Sequence, residues 1–136
     1  MIRFGKGRMM TEKKVILDGG AMPFSKVVQK GSTVYISGMV GRNDADGTIP
    51  FSAADQTSVL MDKLRVLLRS VNATLDNALK ITIFVTDMRY FSEINAVYKT
   101  YFSEGQMPAR SCVAVTALPD PDAKVEMEVI AEVPNE

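Results

Sequence analysis

The longest regular pattern in the chain is helical. Leu60, Leu64, Leu67, Leu68 and Val71 recur at i, i+4, i+7, i+8 and i+11, one apolar stripe on a helix. Asp62, Lys63, Arg65 and Arg69 take its other faces. Ser52 stands before the stripe with Asp55 three residues on, a weak capping-box signal, and the pattern ends near Asn72. A second helical repeat runs through Phe91, Ile94, Tyr98, Tyr101 and Phe102, with Asp87 as a cap and Gly105 as a stop. Between and around these lie runs rich in β-branched and aromatic residues: 13–18, 33–40, 79–87, 111–118 and 124–133. Gly19, Gly20 and Pro23 break the first. Residues 41–50 (GRNDADGTIP) are turn-rich, with Asp46-Gly47 as a hairpin signal, and PDPDA separates the last two strands. The predicted order is about three strands, a helix, a strand, a helix and two strands. That is an α+β arrangement, a sheet with its helices on one face.

Strand alternation sorts side chains by face. In the last strand Val125, Met127, Val129 and Ala131 share an apolar face, and Glu126, Glu128 and Ile130 share the other. If the preceding strand begins just after Pro108, Arg110, Cys112 and Ala114 share a face, and Val113 and Val115 lie under the helices. The face away from the helices is then expected to carry Tyr35, Met39, Arg110, Cys112, Glu126 and Glu128. Such a mixture of apolar and charged groups fits burial against another subunit, where a guanidinium, a carboxylate and a thiol could meet.

Composition narrows the chemistry. The chain has 136 residues, no visible repeat and no Pro/Gly/Ser linker, so one domain over residues 13–136 is expected. Residues 1–12, basic and without a signal-type apolar stretch, read as a disordered tail or an upstream-start extension, since Met9 or Met10 could also begin the chain. Sixteen cations balance 16 anions, which gives no pull towards nucleic acid or an anionic membrane, and no apolar run is long enough to span one. With no histidine, Ser-His-Asp and Cys-His catalysis and His-based metal sites are excluded. The lone Cys112 allows no intrachain disulfide and no multi-cysteine zinc site, which fits a reducing compartment such as the cytoplasm.

Each candidate also has a plain reading. Arg110 could form a structural ion pair with Glu126 or Glu128. Cys112 could be a small buried hydrophobe, the two glutamates solvated strand residues, and Asn95 a local hydrogen-bonder. The aromatic residues of the second helix read as core.

Residues 95–102 (NAVYKTYF), 108–115 (PARSCVAV), Leu118-Pro119 and 125–131 (VEMEVIA) resemble the RidA/YjgF family of reactive-intermediate deaminases, also called endoribonuclease L-PSP. The resemblance extends through 80–91 (KITIFVTDMRYF), 55–64 (DQTSVLMDKL) and 35–38 (YISG), and covers about 23–133. It implies a chorismate-mutase-like fold, about six strands in a mixed sheet, and a homotrimer whose sheets pack into a central barrel with ligand clefts between subunits. It implies hydrolysis of 2-imino acids, or their enamine tautomers, to 2-oxo acids and ammonia, without metal or organic cofactor. By similarity Arg110 grips the substrate carboxylate, Glu126 more than Glu128 places water and moves its proton, and Cys112 lines the pocket. Ser37 and Asn95 match positions that shape or support the site. Two positions depart from the family pattern: Phe24 stands where a tyrosine is usual and Met39 where a glutamine is usual. Both make a greasier substrate site and favour a larger or more apolar imine. Two alternatives follow the same resemblance: a non-catalytic trimeric binder of small carboxylates, and a stress-related holdase or RNA-cleaving protein, whose RNA version the neutral charge disfavours. The leading reading requires Arg110 and Glu126 to converge in one crevice between protomers from the same side of the sheet.

Overall fold

In a computed structural model of the chain, the structure describes residues 12–134 and the backbone of two short strands, β1 (Arg3–Phe4) and β2 (Arg8–Met9), which pair antiparallel. The tail expected over residues 1–12 otherwise lies outside the described residues. The domain proper consists of β3 (Lys13–Asp18), β4 (Ser25–Lys30), β5 (Thr33–Val40), α1 (Ala53–Arg69), β6 (Ala78–Val85), α2 (Phe91–Tyr98), β7 (Ala109–Ala114) and β8 (Val125–Glu132). Strands β3 to β8 form a six-stranded sheet in the order β3-β4-β5-β8-β6-β7. All pairs are antiparallel except β6 and β7, which run parallel and are joined through α2. A parallel pair needs such a crossover, and a helix supplies it.

The predicted helical stripe is the core face of α1. Leu60, Leu64 and Leu68 are fully buried, with Val71 and Leu67 packed at the margin. They meet Ile81, Ile83 and Val85 of β6 and Val125, Met127 and Val129 of β8, so one face of the sheet is covered and the other is open. Burying each such aliphatic side chain contributes about 1.5–3 kcal/mol. The Ser52 side chain caps α1 by accepting from the Asp55 N–H at 3.0 Å. Buried Gln56 ties the helix to the chain around it, donating to the carbonyls of Pro50 and Asp122 and accepting from the Lys124 N–H.

Several expectations shift. Strand β4 has no alternating pattern to announce it; its two adjacent valines, Val27 and Val28, split between the covered and open faces. Asp46-Gly47 is a turn, not a strand hairpin, because it lies in the loop joining β5 to α1; Asp46 accepts from Thr48 and Gly47 has φ +71°. Asp87 caps a single 3-10 turn, Met88–Tyr90, ahead of α2. Strand β7 begins and ends earlier than 111–118, since its partner β6 stops at Val85. Among the described residues no helix is long and apolar enough to cross a membrane.

Candidate functional site

The parallel register of the edge strand decides where the cation points. Arg110 pairs with Ile81 and Cys112 with Ile83. Paired residues share a face, so both side chains project to the side the helices cover. There Arg110 meets α2, where Phe91, Asn95 and Tyr98 follow one another at i, i+4 and i+7. The guanidinium carbon lies 4.9 Å from the Tyr98 ring centroid and 5.5 Å from that of Phe91, a cation held by aromatic faces. Arg110 forms no ion pair among the described residues.

Two polar atoms on this stripe, Asn95 Oδ1 and Tyr98 Oη, are buried without a hydrogen-bond partner. Such groups are uncommon in folded proteins and cost about 1–3 kcal/mol each. Burial pushes the Tyr98 hydroxyl up to about 12, with the charge of Arg110 pulling the other way. Burial likewise raises the Cys112 thiol against the same opposing charge. Cys112 is therefore a neutral thiol at pH 7, suited to contact rather than to nucleophilic attack.

A second cluster forms around β5. Ile36 pairs with Val129 and Met39 with Met127, with a register shift between them. The bulge at Ser37 and Gly38 absorbs one residue and returns Met39 to the helix side, which corrects its expected place on the open face. Glu126 pairs with Val40 and Phe84 on the open face. Its carboxylate occupies the space a Cβ at Gly38 would need: that atom would stand 2.7 Å from Glu126 Oε2. Desolvation, then the neighbouring Glu128 charge, raises the Glu126 carboxyl above the ordinary glutamate range. Ser37 Oγ donates to the Ser25 carbonyl at 2.7 Å and so pins the bulge to β4. Phe24, Ser37, Gly38 and Met39 also line an open groove of about 590 Å³ against α1.

The predicted residues thus fall into two groups. Arg110, Cys112 and Asn95 lie with α2 on the covered side. Phe24, Ser37 and Met39 gather at the β5 bulge, whose Gly38 abuts the Glu126 carboxylate on the open face. The expectation that Arg110 and Cys112 share a face with Glu126 and Glu128 is overturned, and with it the structural ion pair within one chain and the required approach of Arg110 and Glu126 to one crevice from the same side of the sheet; a site holding both would have to take Arg110 from one copy and Glu126 from another. Alternation holds along each strand, but β7 sits one residue out of the expected phase with β8. In the direction perpendicular to the strands, Val113 and not Arg110 lies level with Glu126, both through Phe84. Gly38 is absent from the expected site residues, and Tyr98 stands there only as a substitute hydroxyl for the tyrosine that Phe24 replaces. A glycine inside a strand pattern, and the i, i+4, i+7 spacing of Phe91, Asn95 and Tyr98, were the available signals.

The family model for Endoribonuclease L-PSP matches residues 19–133. This chain belongs to that family, the RidA/YjgF proteins. A mouse relative, 2-iminobutanoate/2-iminopropanoate deaminase, is 36% identical over 110 residues, covering 80% of each chain. The Escherichia coli K12 protein named putative reactive intermediate deaminase TdcF is 36% identical over 115 residues, 83% of this chain and 88% of its own. Among solved structures, E. coli TdcF with bound serine superposes with a TM-score of 0.78 at 32% identity, over 93% of this chain and 97% of that one. The yeast protein YEO7 superposes with a TM-score of 0.83 at 30% identity, over 90% of this chain and all of its own. The six-stranded mixed sheet with two covering helices is therefore the RidA/YjgF fold.

Proposed function

We propose that the chain hydrolyses 2-imino acids to 2-oxo acids and ammonia, as a homotrimer with each site shared by two adjoining copies. The observation that carries this reading is the state of Arg110: among the described residues, a cation without a carboxylate partner, seated on two aromatic rings beside two buried polar atoms that have no hydrogen-bond partner there. A substrate carboxylate would take two parallel hydrogen bonds from the guanidinium fork. Water is then the nucleophile. Glu126 of the adjoining copy takes a proton from water as its oxygen bonds the imine carbon. It passes that proton to the nitrogen to give a carbinolamine, then carries the hydroxyl proton to the amino group, so that the C–N bond breaks, ammonia departs and the carbonyl forms. The raised Glu126 carboxyl suits this two-way traffic, because a carboxyl nearer neutrality both accepts and returns a proton readily. The imine is already electrophilic, so positioning supplies much of the acceleration.

The open sheet face supports the assembly. Tyr35 is 48% exposed and Val113 44% exposed, with Phe84 and Ile130 between them on the same face, an apolar surface that a second copy would cover. A lone Cys112 held as a thiol fits a reducing, cytoplasmic setting.

The test generates imino acids with an amino-acid oxidase and follows 2-oxo acid release with and without the protein. No acceleration over a panel of imines rejects the reading. A shared site has a second signature. Arg110→Ala and Glu126→Gln, each strongly impaired alone, regain activity when refolded together, because random mixing restores about a quarter of the sites. A site held within one copy would regain none. The alternative of a non-catalytic carboxylate binder draws on Ser37, whose hydroxyl is already engaged by the Ser25 carbonyl, and on Phe24, which lacks one. Tight binding of 2-oxo acids without turnover would favour it.

A further inference from the structure

Beyond the Ser37-Gly38 bulge β5 has little ladder left: Met39 pairs with Met127, Val40 pairs with Glu126, and there the strand ends. A bulge disrupts the ladder locally, so this end is held weakly by its backbone alone. Yet it carries Gly38, against which the Glu126 carboxylate rests, and Val40, the partner of Glu126 across the ladder. Side chains supply the missing anchors. Lys63 of α1 donates to the carbonyls of Val40 at 3.2 Å and Arg42 at 2.8 Å. Arg42 ties the same end to the loop joining β7 to β8. Its Nε and Nη2 donate to the two oxygens of Asp120, each at 2.9 Å, Nη2 also to Asp122 at 3.2 Å, and Nη1 to the Gly47 carbonyl at 2.7 Å. Between these two anchors Gly41 lies so close to α1 that a Cβ there would overlap the Gln56 carbonyl.

We infer that Arg42 and Lys63 are positioning residues, a clamp on the exit of β5 that fixes Gly38 and Val40 and, through them, the Glu126 carboxylate. The inference rests on the imine-hydrolase reading and adds to it what holds the water-activating group in place. Two features set the clamp apart from ordinary surface charge pairs. The side chains of Arg42 and Asp120 are 33% and 19% exposed and meet as a fork on both carboxylate oxygens, partly shielded from water, whereas exposed pairs contribute little. Lys63 makes its shorter contact with the Arg42 carbonyl and stands 3.4 Å from the open Asp44 carboxylate, so its chief partner is backbone. The loop that Arg42 grips leads directly into β8, where Glu126 follows Val125 at the strand start. Arg42 therefore joins the exit of β5 to the entry of β8, and these two strand ends carry the Val40–Glu126 pair.

The test measures kcat and KM separately on oxidase-generated imines. Arg42→Ala, Asp120→Asn and Lys63→Met should each lower kcat about ten-fold with KM within about two-fold, because a displaced carboxylate slows the chemical step while Arg110 still grips the substrate. Arg42→Ala combined with Asp120→Asn should fall no further than either alone, since both break one contact, whereas unrelated losses would multiply. Arg42→Lys keeps a charge beside the two aspartates and loses the fork, so it stays folded should the alanine variant not, and an intermediate kcat is expected. A parental kcat in the folded variants overturns the clamp, as does an effect confined to KM or to Tm. If no imine turns over, the hydrolase reading fails, and NMR of the Glu126 carboxyl carbon, assigned with Glu126→Gln, still decides the clamp. A shifted resonance in Asp120→Asn and Lys63→Met upholds it, and an unchanged one overturns it.

Discussion

Substituting Gly38 by alanine tests the water-holding role of Glu126 through one methyl group. The added Cβ would stand 2.7 Å from Glu126 Oε2, 2.9 Å from Cδ and 3.3 Å from Cγ. Ordinary contact begins at 3.4 Å, so the carboxylate has to withdraw by about 0.7 Å. Gly38 does not sit in the left-handed backbone region, so alanine brings this contact without backbone strain. The obstructing group is the far end of a flexible side chain, and replacing glycine reduces the entropy of the unfolded chain. Stability should therefore stay within about 1 kcal/mol of the parent. Catalysis is less tolerant, because a misplacement near 1 Å costs roughly a hundred-fold when geometry sets the rate. The expected result is a ten- to hundred-fold fall in kcat, read as 2-oxo acid release from oxidase-generated imine, with little change in Tm. Glu126→Gln should lose as much or more. Combining the two should add little, since both act through one carboxylate. A Gly38→Ala protein within two-fold of the parent rate, or a double variant whose losses multiply, would refute the placement of Glu126 at the reacting centre.

Arg110→Ala should lower kcat/KM roughly ten- to a hundred-fold through loss of a charge-assisted anchor. Arg110→Lys should recover only part of it, because a point charge cannot form the two parallel bonds; steady-state kinetics on both variants decides this. If Glu126 acts as an ionised base, kcat/KM falls as pH drops through its raised pKa, so the acid limb should lie above that of an ordinary glutamate. Glu128→Gln removes a like charge that raises Glu126, and the limb should then move to lower pH in a pH-rate profile. Tyr98→Phe removes a buried hydroxyl that has no partner, so the free protein should gain about 1 kcal/mol in a denaturation experiment. If that hydroxyl meets substrate, KM rises in the same variant; an unchanged KM would assign the tyrosine to packing and to the Arg110 ring contact alone.

Much of the fold was legible because burial on a single face writes a period into the sequence. The α1 stripe and the apolar alternation of β8 appear where the pattern places them, and the second helical repeat is α-helical as far as Tyr98, after which a 3-10 turn, Lys99–Tyr101, ends it ahead of Gly105. Strand β4 was hidden because it is short and carries its apolar residues side by side. The candidate site could be named from the sequence as a set of residues, but its geometry could not. Alternation fixes relative faces within a strand. It says nothing about which face of an edge strand meets the helices until the register with its neighbour is known. A single residue of phase sends Arg110 to one side or the other. The Ser37-Gly38 bulge misled in the same way, since it shifts Met39 by one position relative to a regular strand.

The separation of Arg110 from Glu126 also has a chemical logic. On one face and in one chain, a guanidinium and a carboxylate on nearby strands would pair with each other. The pair would occupy the fork that a substrate carboxylate needs. It would also hold Glu126 ionised, since an opposite charge within about 4–6 Å lowers a carboxyl by one to three units. Opposite faces prevent both effects. Arg110 keeps its aromatic seat and its free donors, and Glu126 keeps a carboxyl raised by desolvation and by Glu128. In the proposed shared site, a substrate carboxylate on Arg110 would offset the cation before it could act on Glu126.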